Sequence, residues 1–136
     1  MNVMLEKGAF MPEFAHTTDA GADLKSPVDA YIHPHDSVTI NTGVHVEIPE
    51  GYVGILKSKS GLNVKRDLIG TGVIDSGYTG SIIVKLYNLG NDPYFINRGD
   101  KIIQMVIMPC VYCEFTEVER FSPTERGDGG FGSTGR

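Results

Sequence analysis

Five short segments of the chain combine glycine with charged, hydroxyl or aromatic side chains in ways that core packing does not require. The last is the most unusual: Arg126-Gly-Asp-Gly-Gly-Phe131-Gly132-Ser133-Thr134-Gly-Arg136. It has almost nothing to bury and cannot offset its own ordering entropy, so alone it is expected to be disordered. Its side chains nevertheless suit a nucleotide. A guanidinium can fork a phosphate, a ring can cover a base, and glycine amides and hydroxyls can meet anionic oxygens. The tail therefore reads either as a flexible Gly-rich terminus or as a lid that orders on a ligand.

The other four segments lie upstream. In Asp19-Ala-Gly-Ala-Asp23-Leu24 two carboxylates four residues apart either hold a metal or close an Asp-Gly turn. Lys57-Ser-Lys59-Ser60-Gly61-Leu62 places ammonium groups and hydroxyls at the start of a short helix, where an anion finds hydrogen-bond donors. It lacks the Gly-x-x-x-x-Gly-Lys-Ser/Thr pattern of a P-loop, and a solvated basic edge is the plainer alternative. In Gly72-Val73-Ile74-Asp75-Ser-Gly-Tyr78-Thr-Gly80 an apolar strand delivers Asp75 into a Gly-rich turn. Asp75 and Tyr78 can then face one ligand, unless the segment is a plain hairpin. In Arg98-Gly-Asp-Lys101-Ile-Ile-Gln104-Met-Val106 the Gln104 amide interrupts an apolar run and needs a hydrogen-bond partner.

The frame that must position these segments is all-β. Seventeen Gly and seven Pro in 136 residues signal many turns, and 40% hydrophobic with 21% charged residues fits one globular domain. Period-two alternation and turn chemistry predict strands over 28–32, 38–42, 52–56, 69–74, 81–89, 94–96, 101–108 and 111–118. The alternation of Val44, Val46 and Ile48 with His45 and Glu47 marks another. Only Ser60 to Arg66 is suited to a short helix, with Ser60 as its cap. Several short strands at regular spacing point to a jelly roll or related barrel over residues 1–120, followed by a Gly-rich arm over 121–136.

Charge and composition exclude other classes. With 17 acids against 12 bases the net charge is −5 and the pI about 5.3, so a broad nucleic-acid-binding face is not expected. Lys57, Lys59, Lys65 and Arg66 nonetheless cluster, and a local positive pocket in an acidic protein suits a small polyanion. No apolar run approaches a membrane span and no signal peptide is apparent, so cytoplasmic residence is the expectation. Cys110 and Cys113 form a lone C-x-x-C without a second cysteine pair or a fitting histidine spacing. They read as two ordinary reduced cysteines.

Taken in order, the five segments closely resemble the five motifs of the trimeric deoxyuridine triphosphate nucleotidohydrolase (dUTPase) family. Ala20-Gly-Ala-Asp23-Leu24, Lys59-Ser60-Gly61-Leu62, the Gly72–Gly80 hairpin, the Arg98–Val106 strand and the Arg126–Gly135 tail match in turn. The resemblance implies a homotrimer of distorted jelly-roll subunits with one short helix and a flexible C-terminal arm. Each interfacial site would draw Asp23, Ser60 and Gln104 from one subunit, Asp75 and Tyr78 from a second, and the arm from the third.

The implied reaction is Mg²⁺-assisted attack of water on the α-phosphorus of dUTP. It yields dUMP for thymidylate synthesis, yields pyrophosphate, and keeps uracil out of DNA. By resemblance Asp75 positions and activates the water, and Asp23 reaches the metal through water. Lys59, Ser60, Gly61 and Gln104 contact phosphate, and Arg126 forks the terminal one. Tyr78 packs on the deoxyribose, and backbone from Gly72, Val73 and Ile74 to Ile83 reads the uracil edge. Lys85 is a further substrate contact near that strand, Phe131 covers the base, and Gly132, Ser133 and Thr134 complete the arm's contacts. Many members carry Pro-Arg-Ser where this chain has Ser58-Lys59-Ser60, and lysine lacks the planar fork. The alternatives are a nucleotide-sensing regulatory protein on the same fold and, less favoured, a dCTP deaminase. The latter needs a glutamate where Lys85 stands.

Overall fold

The computed structural model describes residues 1–133 and 135. Among these described residues ten strands and one helix follow one another as β1 (Val3–Leu5), β2 (Gly21–Lys25), β3 (Ala30–Ile32), β4 (Ser37–Asn41), β5 (Val44–Val46), β6 (Tyr52–Lys57), α1 (Ser60–Arg66), β7 (Leu68–Ile74), β8 (Ile83–Asn88), β9 (Tyr94–Ile96) and β10 (Lys101–Pro109). An antiparallel six-stranded sheet runs β2-β10-β6-β7-β8-β4, and two ribbons, β1-β5 and β3-β9, complete the curled, jelly-roll-like subunit.

The alternation seen in sequence is the burial pattern of the strands. In β8 the side chains of Val84, Leu86 and Asn88 enter the core while Ile83, Lys85 and Tyr87 face outward. Leu24, Ile32, Ile40, Leu56, Leu68 and Ile96 join Val84 and Leu86 in one apolar cluster. In β10 two consecutive isoleucines, Ile102 and Ile103, are both buried, which strict alternation forbids. A register shift between Lys101 and Ile103 against β2 resolves this: the irregularity turns one extra residue inward.

Two strands were not legible as alternation. β1 is three apolar residues, and β2 is Gly-Ala-Asp-Leu-Lys, a composition poor in strand formers. β2 is a strand because β10 supplies the ladder. Residues 111–118, expected as a strand, lie outside any assigned strand: β10 ends at Pro109, and Val111, Phe115 and Phe121 are almost fully exposed. The helix has its expected bounds but a different cap. Its N-cap is Lys59, without a side-chain cap bond, and Ser60 is already the first helical residue. Asp67, in the left-handed conformation at φ 53°, closes the other end.

Candidate functional site

β10 sits between β2 and β6, and this places Gln104 opposite Asp23 on one side and opposite Lys57 on the other. The second and fourth segments therefore meet. A recess of about 360 Å³ is lined by Lys57, Ser58, Ser60, Asn63, Thr71 and Gln104, among others. The Gln104 amide finds its partner there, donating from Nε2 to the Ser58 carbonyl at 3.2 Å. Ser58 itself clamps β7: its hydroxyl donates to the Gly70 carbonyl at 3.0 Å and accepts from the Gly70 N–H at 2.9 Å. Gly61 lies one residue beyond Ser60 in α1, exposed to solvent.

Asp23 is buried, and both carboxylate oxygens are taken. Oδ1 accepts from the Lys59 ammonium, and Oδ2 lies 2.9 Å from Lys101 Nζ. Burial pushes the carboxyl up, but hydrogen bonds from the two ammonium groups outweigh it and hold Asp23 below the ordinary carboxylate range. Lys101 also reaches Glu13, which Lys25 holds at 2.7 Å. Lys59 is thus engaged in tying α1 to β2. Among the described residues no group of three or more His, Cys, Asp or Glu side chains could hold a metal ion. The donor set does not fit a metal ligated directly by the protein.

The third segment forms a separate recess of about 220 Å³, lined by Val73, Ile74, Asp75, Tyr78, Ser81 and Ile83. β7 and β8 pair only over Leu68–Gly70 and Leu86–Asn88, so the hairpin splays beyond that base. From Gly72 to Ile74, β7 pairs instead with β6. At the tip the Tyr78 N–H bonds the Asp75 carbonyl at 3.2 Å, with Gly77 at φ 83°. The Tyr78 hydroxyl donates to the Ser81 carbonyl at 3.0 Å, which lays the ring against Gly80. A Cβ at Gly80 would stand 2.8 Å from ring atom Cε2, so only glycine fits beneath the ring. The Asp75 side chain is exposed. Lys85 lies outside the lining, its ammonium 5.2 Å over the Tyr87 ring.

Residues that sequence reasoning passed over hold the outgoing limb of this hairpin. The Thr42 hydroxyl donates to the Ile82 carbonyl at 2.7 Å, and the Ser81 hydroxyl bonds Asn41. His45 Nδ1 reaches the Thr79 carbonyl at 2.8 Å. The His45–Glu47 alternation marked these as strand residues, and nothing in it indicated that the outward histidine grips a turn.

The tail makes local bonds among its described residues. Arg126 Nε donates to the Gly129 carbonyl at 2.8 Å, and the Ser133 N–H to that of Gly130 at 3.1 Å. Gly132 has φ 96°, and Phe131 is fully exposed at φ 50°. Thr134, expected to bind phosphate, lies outside the described residues. One chain thus presents three partial sites: an anion recess, a hairpin recess and an aromatic-tipped arm.

The chain is a curled, jelly-roll-like antiparallel β subunit that carries a Lys-, Ser- and Gln-lined recess and a separate carboxylate-and-tyrosine hairpin. The dUTPase family model matches residues 8–135, and the chain belongs to that family. It is 42% identical over 134 residues to the deoxyuridine 5'-triphosphate nucleotidohydrolase of Gloeothece citriformis, covering 96% of this chain and 92% of that one. A variant of the Staphylococcus bacteriophage 80alpha dUTPase, solved with dUpNHpp, superposes with a TM-score of 0.92 at 37% identity, covering 99% of this chain and 98% of that one. A dUTPase variant from phage phi11 of S. aureus, described as coordinating a structural Mg(II) ion, gives 0.81 at 36% identity over 88% of this chain and 97% of that one.

Proposed function

We propose that the protein is a dUTP diphosphatase that hydrolyses dUTP to dUMP and pyrophosphate in sites shared between three subunits. The observation that carries the reading is the hairpin recess, where Asp75 and Tyr78 converge on a pocket open to small ligands. The family membership and the dUTP-analogue-bound relative support the same substrate.

Asp75 orients a water molecule and takes its proton as the water oxygen bonds to the α-phosphorus and the bond to the pyrophosphate oxygen breaks. A carboxylate is a weak base, so positioning contributes as much as basicity. Ser60 and Gln104 offer donors to the phosphates, and Arg126 supplies a planar fork for the terminal one. A magnesium ion bound with the substrate would neutralise phosphate charge and favour in-line geometry, held to the protein through water at Asp23. Tyr78 packs on the deoxyribose, where a 2′-hydroxyl would clash; attraction alone rejects an added hydroxyl only ~100-fold. Backbone groups of residues 72–83 pair with the uracil edge, and Phe131 closes over it.

The trimer has its own support. Three partial sites on one chain need neighbours to be completed. The extended segment after β10 exposes Val111 at 89%, Phe115 at 96% and Phe121 at 89%, an apolar series suited to burial on another subunit. No helix among the described residues is long and apolar enough to cross a membrane.

Pyrophosphate release from dUTP, dTTP, dCTP and UTP, with and without Mg²⁺, tests the function. Strong preference for dUTP is expected. Ammonia release from dCTP would overturn the reading in favour of a deaminase, and tight dUTP binding without turnover would favour a sensor.

A further inference from the structure

The hairpin that carries Asp75 and Tyr78 has no ladder of its own beyond Gly70 and Leu86; β6 holds its incoming limb up to Ile74, and its outgoing limb depends on what grips it from β4 and β5. Thr42 holds Ile82 and Asn41 holds Ser81, both at the limb that leads into β8. His45 holds Thr79, the residue directly after Tyr78, and is therefore the anchor nearest the turn. Its side chain is only 16% exposed. Nδ1 lies 2.8 Å from the Thr79 carbonyl oxygen and Nε2 lies 3.0 Å from Glu6 Oε1.

Both partners are acceptors only. A neutral imidazole carries one N–H and can satisfy one of them, leaving a ring lone pair facing the other oxygen. The imidazolium donates to both. We propose that His45 is a positioning residue of the active site: as an imidazolium bridging Glu6 and the Thr79 carbonyl, it fixes the turn that presents Asp75 and Tyr78, and its deprotonation loosens that turn. This rests on the reading of the hairpin as the uridine site.

The surroundings agree. Besides Glu6, which follows β1, the charged group nearest along β5 is Glu47, whose carboxylate is held by the Asn2 amide at 2.6 Å. His45, Glu47, Asn2 and Thr79 line one recess of about 250 Å³. Met1 shares an adjoining cleft with Glu47 and Thr79, and there the hairpin adds only the uncharged Ser76 and Gly77. The titratable groups of the hairpin, Asp75 and Tyr78, line the separate substrate recess. Met1, with its terminal ammonium, and Glu50 are the other charged groups of that adjoining cleft. The hydrogen bond to Thr79 and then the Glu6 carboxylate raise the His45 pKa above the ordinary histidine value, against the opposing effect of burial.

The test combines a spectroscopic readout with kinetics. In the intact protein, amide NMR signals of residues 76–81 are expected to shift with the His45 titration, and in His45→Gln, which cannot titrate, that movement disappears. With dUTP, the wild-type KM is expected to rise about threefold to tenfold as pH climbs through the His45 pKa, the worth of one hydrogen bond, while kcat changes little. His45→Gln, which keeps one donor as the neutral imidazole does, should hold a flat KM near the high-pH wild-type value. His45→Leu should hold a flat KM at the raised value. Glu6→Gln, a half-exposed change, should move the KM inflection to lower pH. Hairpin signals indifferent to the His45 titration, or a wild-type KM profile in His45→Leu, would overturn the proposal. Coupled hairpin signals in a protein that does not turn over dUTP would uphold the positioning role and overturn the substrate reading instead.

Discussion

Gly21 stands directly against Gln104: a Cβ on Gly21 would lie 2.7 Å from Gln104 Oε1 and 3.2 Å from Gln104 Cβ. The glycine of the first segment is therefore what lets the amide of the fourth lie flat and reach the Ser58 carbonyl. Gly21→Ala must swing that amide away. The expected result is a KM for dUTP raised about fivefold to thirtyfold, the ~1–2 kcal/mol of a displaced side chain, with the melting temperature only slightly lowered. Unchanged KM in a folded Gly21→Ala protein would show that Gln104 does not touch the triphosphate.

The Asp23 ion cluster predicts acid sensitivity with a definite sign. Its folded pKa is depressed, so its contribution is fully present above the unfolded value of ~3.9 and is lost as pH falls through the folded value. Melting temperature should drop steeply below about pH 4. Removing one lysine leaves Asp23 with the other, so Lys59→Met should cost ~1–2 kcal/mol, less than the ~3–5 for stripping a buried charge of its sole partner. Differential scanning calorimetry across pH reads both. An equally steep acid transition in the Lys59→Met, Lys101→Met double variant would dissociate it from Asp23.

Gly80→Ala drives a methyl into the Tyr78 ring. Relief requires the ring to leave the deoxyribose position, and a loss of at least about tenfold in kcat/KM for dUTP is expected. Tyr78→Phe keeps the ring and removes only the bond to the Ser81 carbonyl, so its effect should be a few-fold. The ratio of dUTP to UTP turnover distinguishes the two, since ring displacement alone should open the sugar pocket to UTP.

Asp75→Asn preserves shape and removes the proton acceptor. Binding of dUTP by calorimetry should stay within a few-fold of wild type while pyrophosphate release is abolished. Persisting turnover would rule out the general-base role.

Deleting residues 126–136 removes Arg126 and Phe131 without touching the β core. Sedimentation should show the same oligomer, and kcat/KM should fall by more than about 100-fold, consistent with a lost guanidinium fork and a base stack worth ~1–3 kcal/mol. Full activity in the truncated protein would mean that the arm is no lid.

Much of this molecule could be read from the chain alone. Alternation marked β5, β6 and β8, and the glycine-bounded segments marked the hairpin and the anion recess, because side-chain period and turn chemistry are local properties. The bounds of α1 were legible for the same reason. The family resemblance was legible too, since it lives in residue order.

What tertiary structure decided is what depends on partners distant in sequence. β2 is a strand only because β10 pairs with it, and two adjacent isoleucines share the core only through an irregularity in that pairing. Lys59 binds Asp23, 36 residues away, a partner that local charge does not name. His45 reaches Thr79 across 34 residues, a contact no periodicity encodes. Residues 111–118 have strand composition and no strand partner among the described residues. A backbone ladder and an ion pair each need a second member, and only the fold determines who that member is.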